Sequence, residues 1–181
     1  MNSVAVEAAD FPLPAWSGRL KTFAAKVLSQ LGRKDFGFSV LLCGDKTMSG
    51  LNQKYRGKEG PTDVLSFSQE EGGGFPVSPD GKTRHMGDIA VSLDTLRENA
   101  CSFGVGEDEE LRRLMIHGIL HLDGMDHLTN DGDEPMLRLQ EQILEKLSGQ
   151  RILPEVKRGA RLNARHNALQ AGTHGKNEGE S

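Results

Sequence analysis

Apolar positions along the 181-residue chain recur with two different periods, and the switches between them outline the elements. Val4 and Val6 alternate with Ala5 and Glu7, which predicts a short first strand ending at the breaker region 10–14. Trp16, Leu20, Phe23, Ala24, Val27, Leu28 and Leu31 then follow three- and four-residue spacing, an amphipathic helix stopped by Gly32. Residues 36–43 read as a buried strand closed by Gly44 and Asp45, and Asp45 can cap a short helix through Met48, Leu51 and Tyr55. A loop over 57–61 leads to a third strand through Val64, Leu65 and Phe67. The polar, Gly- and Pro-rich stretch 69–85 predicts a loop of a length that is usually functional or mobile. Residues 89–93 predict a short fourth strand, after which Ser92 or Asp94 can cap a helix through Leu96, Ala100 and Phe103. Four acids at 107–110 favour the positive end of the next helix, whose apolar face is Leu111, Leu114, Met115, Ile119 and Leu122. Asp133 and Pro135 start a last helix through Leu137, Leu139, Ile143, Leu144 and Leu147.

The resulting order, βαβαββααα, predicts an α+β domain over 1–148 in which a small mixed β-sheet packs against helices. Beyond Ser148 the periodicity fails, and 149–181 reads as a basic, disordered tail. Composition is ordinary for a globular chain, with 36 % hydrophobic and 27 % charged residues. No apolar run is long enough for a membrane span, and the N-terminus lacks the cationic start of a secretory signal. Two isolated cysteines, Cys43 and Cys101, fit a reducing compartment, so a cytoplasmic location is expected. The net charge of −4 argues against nonspecific coating of nucleic acid. The tail, however, holds six Lys/Arg against three Asp/Glu, which leaves −7 on the first 148 residues. Any contact with nucleic acid must therefore come from a local patch or from the tail.

The most informative stretch is His117-Gly-Ile-Leu-His121-Leu-Asp-Gly124-Met-Asp126-His127. Residues four apart on a helix stand one turn above each other, so two imidazoles at that spacing can reach one ion. Gly124 permits the left-handed conformation that ends a helix and turns the chain back, which can deliver His127 as a third ligand. Three neutral imidazoles with a fourth position left to water match a catalytic zinc site, one ion per chain; His85, His166 and His174 are dispensable to it. Asp126 is a candidate to accept a ligand's second N–H, whereas Asp123 reads as a solvated turn residue. The spacing is also that of metzincin-type zinc peptidases, but those place a Glu general base directly after the first His, where this chain has Gly118.

A second cluster puts Lys54, Arg56 and Lys58 within five residues between a helix and a strand, and Arg56 precedes a glycine from which a guanidinium could grip a phosphate. With this segment, NQKYRGKEGPTDVLSF, followed by MGDIAVS and HGILHLDGMDH, the chain resembles the YbeY family of bacterial endoribonucleases over roughly residues 2–148. The resemblance implies a zincin-like fold and zinc on His117, His121 and His127, with His117 and Arg56 in the catalytic machinery. It also implies cleavage of single-stranded RNA in maturation of the 3′ end of small-subunit (16S) ribosomal RNA, in company with the small ribosomal subunit or its assembly factors. A zinc peptidase and a non-catalytic, zinc-stabilised assembly factor are the alternatives.

Overall fold

A computed structural model describes residues 1–70, 74–79 and 81–155. Its elements run β1 (Ser3–Ala8), α1 (Ser17–Gln30), β2 (Phe36–Cys43), α2 (Asp45–Arg56), β3 (Val64–Ser68), β4 (Arg84–Ser92), α3 (Leu93–Phe103), α4 (Glu107–Leu122) and α5 (Pro135–Lys146). The order is the one the periodicity predicts, and the α+β class holds. The sheet is mixed, in the order β1-β2-β4-β3, with β1, β2 and β4 parallel and β3 antiparallel to β4.

Side-chain alternation along the strands divides the core in two. Phe38, Val40 and Leu42 of β2 and Ile89 and Val91 of β4 face α1 and α4, where Leu20, Phe23, Leu28, Ile116 and Ile119 complete the main core. Their neighbours Cys43, Leu65 and Ala90 face the other way, onto Met48 of α2. Helix α4 is buried on most of its surface, because α1, α3, α5 and the sheet all pack against it. Its first-turn acids 107–110 lie where the helix dipole favours them. Among the described residues no helix is long and apolar enough to cross a membrane.

Several details depart from the sequence reading. Strand β4 starts at Arg84 rather than Ile89, because residues 84–88 pair with β2 and β3, with Met86 buried in the core. The described part of the expected loop also folds back, with Val77 bridged to Arg84 and Phe75 edge-on to Phe36. One extra residue of β4 is accommodated in a bulge opposite the Gly37–Ser39 step of β2. There Gly87 adopts φ 136°, and a Cβ would lie 2.0 Å from the Phe67 carbonyl oxygen, so only glycine fits. Gly44, not Asp45, occupies the N-cap of α2, and the Asp45 carboxylate instead accepts hydrogen bonds from Ser92 and Thr95 at the start of α3. Ser92 is the cap of α3.

The tail expected from 149 is packed over its first residues. Ile152 is fully buried, and the backbone N–H groups of Ile152 and Leu153 donate to Asp108 Oδ1 at 2.8 and 2.7 Å. Asp108 also pairs with Arg112 at 3.0 Å, so a buried carboxylate latches residues 152–153 to the first turns of α4. Residues 156–181 of that expected tail lie outside the described residues.

Candidate metal centre

Helix α4 carries His117 and His121 one turn apart, and their Nε2 atoms lie 3.1 Å from each other. Gly124, at φ 86°, then reverses the chain after the helix, a conformation that disfavours any side chain. The reversal brings His127 back until its ring centroid is 5.1 Å from that of His117 and 5.4 Å from that of His121. One ligand atom from each of the three histidines falls within 4.8 Å of the others, so the triad could bind a metal.

The second nitrogen of each ring fixes how the triad is protonated. His121 Nδ1 lies 3.1 Å from the Met125 carbonyl oxygen and His127 Nδ1 lies 2.9 Å from the Thr129 carbonyl oxygen. A carbonyl can only accept, so both Nδ1 atoms carry the hydrogen. His117 Nδ1 lies 2.9 Å from Gln140 Oε1, and the Gln140 amide is oriented by donation from Nε2 to Glu141 at 3.1 Å. All three rings therefore donate from Nδ1 and keep Nε2 bare, and the Nε2 atoms of His117 and His121 face each other. Two such lone pairs at 3.1 Å repel unless a cation lies between them. Tetrahedral zinc with nitrogen at about 2.0–2.1 Å sets a ligand–ligand separation of about 3.3 Å, close to the His117–His121 spacing.

Burial pushes the His117 pKa down, against the opposing bond to Gln140, and burial together with His117 pushes His121 down. Both shifts favour the neutral ring, the form that binds a metal.

The triad forms part of the lining of an open cleft of about 910 Å³ that also contains Arg56, Lys58, Asp63, Ser66 and Ser68. Arg56 ends α2, and the loop after it is pinned where buried Asn52 donates to the Gly60 carbonyl at 2.9 Å. Both parts of the sequence reading, the histidines and Arg56, thus share one cavity. Strand β3 runs between them as the edge of the sheet. Asp63 accepts from Ser92 N, and Gln69 N donates to Met86 O, so odd-numbered residues bond β4 and the backbones of Ser66 and Ser68 face away from it. Ser66 Oγ donates weakly to the Gly118 carbonyl at 3.4 Å, which places the even-numbered side chains on the α4 side.

Gly118 sits where α4 meets the sheet: a Cβ there would lie 3.0 and 3.1 Å from Ile89 carbons and 3.3 Å from Ser66 Oγ. The position of a peptidase's glutamate is therefore filled by the core.

The two acids beside the motif behave differently from expectation. Asp123 is not a solvated turn residue: it accepts from Arg33 Nε at 2.6 Å and is largely buried, tying the end of α4 to the α1–β2 turn. Asp126 remains exposed, 3.7 Å from His121 Nδ1, and its Oδ1 accepts instead from the His127 backbone. Gln140 is the partner that the motif alone does not reveal. It interrupts the apolar stripe that Met136, Ile143 and Leu144 of α5 form with Leu147 just after the helix, and a buried amide in such a stripe is the signal that could have found it. Asp63, at the cleft wall, is held by Val64 N at 2.8 Å and Asn99 Nδ2 at 3.1 Å.

Comparison with known proteins points the same way. A family model described as endoribonuclease YbeY matches residues 7–148. A Treponema denticola protein named Endoribonuclease YbeY is 42 % identical over 83 % of this chain and 97 % of its own length. Its namesake from Treponema pallidum (strain Nichols) is 43 % identical over 80 % of this chain and 89 % of its own. The solution structure of a Thermotoga maritima protein superposes with a TM-score of 0.54 at 26 % identity, covering 98 % of this chain and 100 % of that one.

Proposed function

The chain belongs to the YbeY family of endoribonucleases, hydrolases of RNA phosphodiester bonds, and from that premise we propose a zinc-dependent cleavage of single-stranded RNA centred on His117, His121, His127 and Arg56. The observation that carries this reading is the set of three bare Nε2 atoms on the wall of a cleft that also holds Arg56. Zinc held there would supply Lewis-acid polarisation of a phosphoryl oxygen and the acidification of water.

The chain's own residues do the rest. Gln140 and the carbonyls of Met125 and Thr129 keep each Nδ1 protonated and each ring aimed. Arg56 projects into the cleft from a fixed helix end, and its fork can hold two phosphate oxygens and offset the charge that accumulates on them. The outward backbone of Ser66 and Ser68 adds donors along the path of a bound strand. The natural substrate in this reading is the 3′ end of small-subunit (16S) rRNA, met on the small ribosomal subunit or with its assembly factors.

The test incubates zinc-replete protein, and the His117→Ala variant, with a single-stranded RNA and a duplex of the same sequence. Cleavage of the single strand by the parent protein alone is the expected result. A folded His117→Ala protein that cleaves equally well would overturn the assignment, and so would casein hydrolysis without RNA cleavage. Loss of structure rather than of chemistry on chelation, with no cleavage when zinc is present, would favour the assembly-factor reading.

A further inference from the structure

Tyr55 breaks the logic of its own helix. It continues the inward stripe of α2 at four- and three-residue spacing from Met48 and Asn52, both of which are buried. Yet Tyr55, in the last turn of α2, is 54 % exposed. Its one aromatic neighbour among the described residues is Phe67 of the edge strand, with ring centroids 4.9 Å apart and planes at 63°. Lys54 Nζ stands 4.9 Å from the Tyr55 centroid, so the aromatic carries a cation beside it.

The position relative to the cleft gives this cluster a use. Phe67 lies between Ser66 and Ser68, which line the cleft, and its side chain points to the opposite face of β3. Tyr55 directly precedes Arg56, which also lines the cleft. The Tyr55–Phe67 pair therefore lies on the other side of the edge strand β3 from the cleft, next in the chain to the cleft-lining Arg56, Ser66 and Ser68, with Lys54 beside it. We propose that Tyr55, braced by Phe67 and accompanied by Lys54, is a stacking platform for an unpaired base of the RNA strand whose phosphate occupies the cleft. The inference rests on the ribonuclease reading and adds a residue that selects single strands. A base locked in a duplex has both faces covered and cannot stack on the ring, whereas every unpaired base offers a π-face regardless of sequence. The neighbouring cations meet the phosphates on either side.

The experiment measures equilibrium binding and cleavage of a fluorescent single-stranded RNA by the full chain and by Tyr55→Ala, Tyr55→Phe and Tyr55→Trp. It repeats them with an RNA of the same length lacking its bases at alternate positions. Tyr55→Ala should weaken binding and raise KM about 5- to 150-fold, with kcat at saturation nearly unchanged. Tyr55→Phe and Tyr55→Trp should bind like the parent, and RNA should quench the added indole. Base removal should weaken the parent but cost Tyr55→Ala much less, since the partner of the missing bases is already gone. Parent-like RNA affinity in a folded Tyr55→Ala protein overturns the proposal while leaving the ribonuclease reading intact. An equal penalty for base removal in both proteins does the same. Absence of RNA binding and cleavage by the parent removes the ribonuclease reading and this inference together.

Discussion

Gln140 and His117 meet at 2.9 Å across the α4–α5 contact, a buried amide oxygen against an imidazole Nδ1. The bond fixes the tautomer that leaves His117 Nε2 free. Gln140→Leu should keep the fold and weaken zinc binding about 10- to 100-fold, the usual cost of losing such a partner. Competition with a fluorescent chelator measures it. Unchanged affinity would show that packing alone orients the ring.

Arg56 is exposed at the end of α2, so its removal should leave folding and zinc content untouched. Arg56→Ala should lower kcat about 10²- to 10³-fold, as expected for a preorganised donor aimed at developing charge. Arg56→Lys should recover little of it, since an ammonium cannot reproduce the two-pronged grip on a phosphate. Cleavage rates at saturating RNA decide the matter, and parent-like turnover in Arg56→Ala removes this residue from the chemistry.

Gly118 offers a test of why no peptidase base stands there. Gly118→Ala gains about 1 kcal/mol of helix propensity but crowds Ile89 at a cost of about 1–3 kcal/mol, for a net loss of up to about 2 kcal/mol. Gly118→Glu should fail to fold rather than acquire casein hydrolysis. A well-folded glutamate variant by circular dichroism would contradict the packing argument.

Two truncations separate the packed residues 149–155 from the remainder of the chain. Ending the chain after Glu155 keeps every contact of the latch. Ending it after Ser148 removes Ile152, worth about 1.5–3 kcal/mol of burial, and strips two N–H donors from Asp108. At about 2–4 °C per kcal/mol, the second truncation should melt about 3–12 °C below the first. Equal melting of both would mean the latch contributes nothing.

The two free cysteines should differ in reactivity. Burial, with Asp10, Asp45 and Asp94 nearby, pushes the Cys43 thiol up to about 11, so it stays protonated and shielded at pH 8 and still at pH 9.5. A thiol reagent should titrate Cys101 in the native protein and reach Cys43 only on unfolding. Two rapidly reacting thiols at pH 8 would refute this.

How much of the fold and site is legible in the sequence depends on how local each feature is. The spacing of His117, His121 and His127 and the glycine at 124 encode the triad within eleven residues, so the pattern shows it directly. Asp123 reads as solvated because its partner, Arg33, lies ninety residues away, and no local rule distinguishes a paired turn carboxylate from a free one. The start of β4 is hidden for the same reason. Apart from Met86, Arg84 to Asp88 are polar or small, and only pairing with β2 and β3 makes them a strand. Ile152 and Leu153 look like a short apolar step in a polar tail, since Asp108, which accepts their backbone N–H groups, belongs to a distant helix. Gln140 alone has a readable signal, an amide within an apolar stripe.

Two of the three acceptors that aim the histidines, Met125 O and Thr129 O, are main-chain carbonyls. No codon change can delete a peptide oxygen, so at those two rings the alignment is carried by the path of the chain and survives replacement of the side chains at 125 and 129. The third ring depends on a side chain. Inherited damage to the aim of the triad, short of losing a histidine or reshaping the turn at Gly124, is therefore concentrated at the single codon for Gln140.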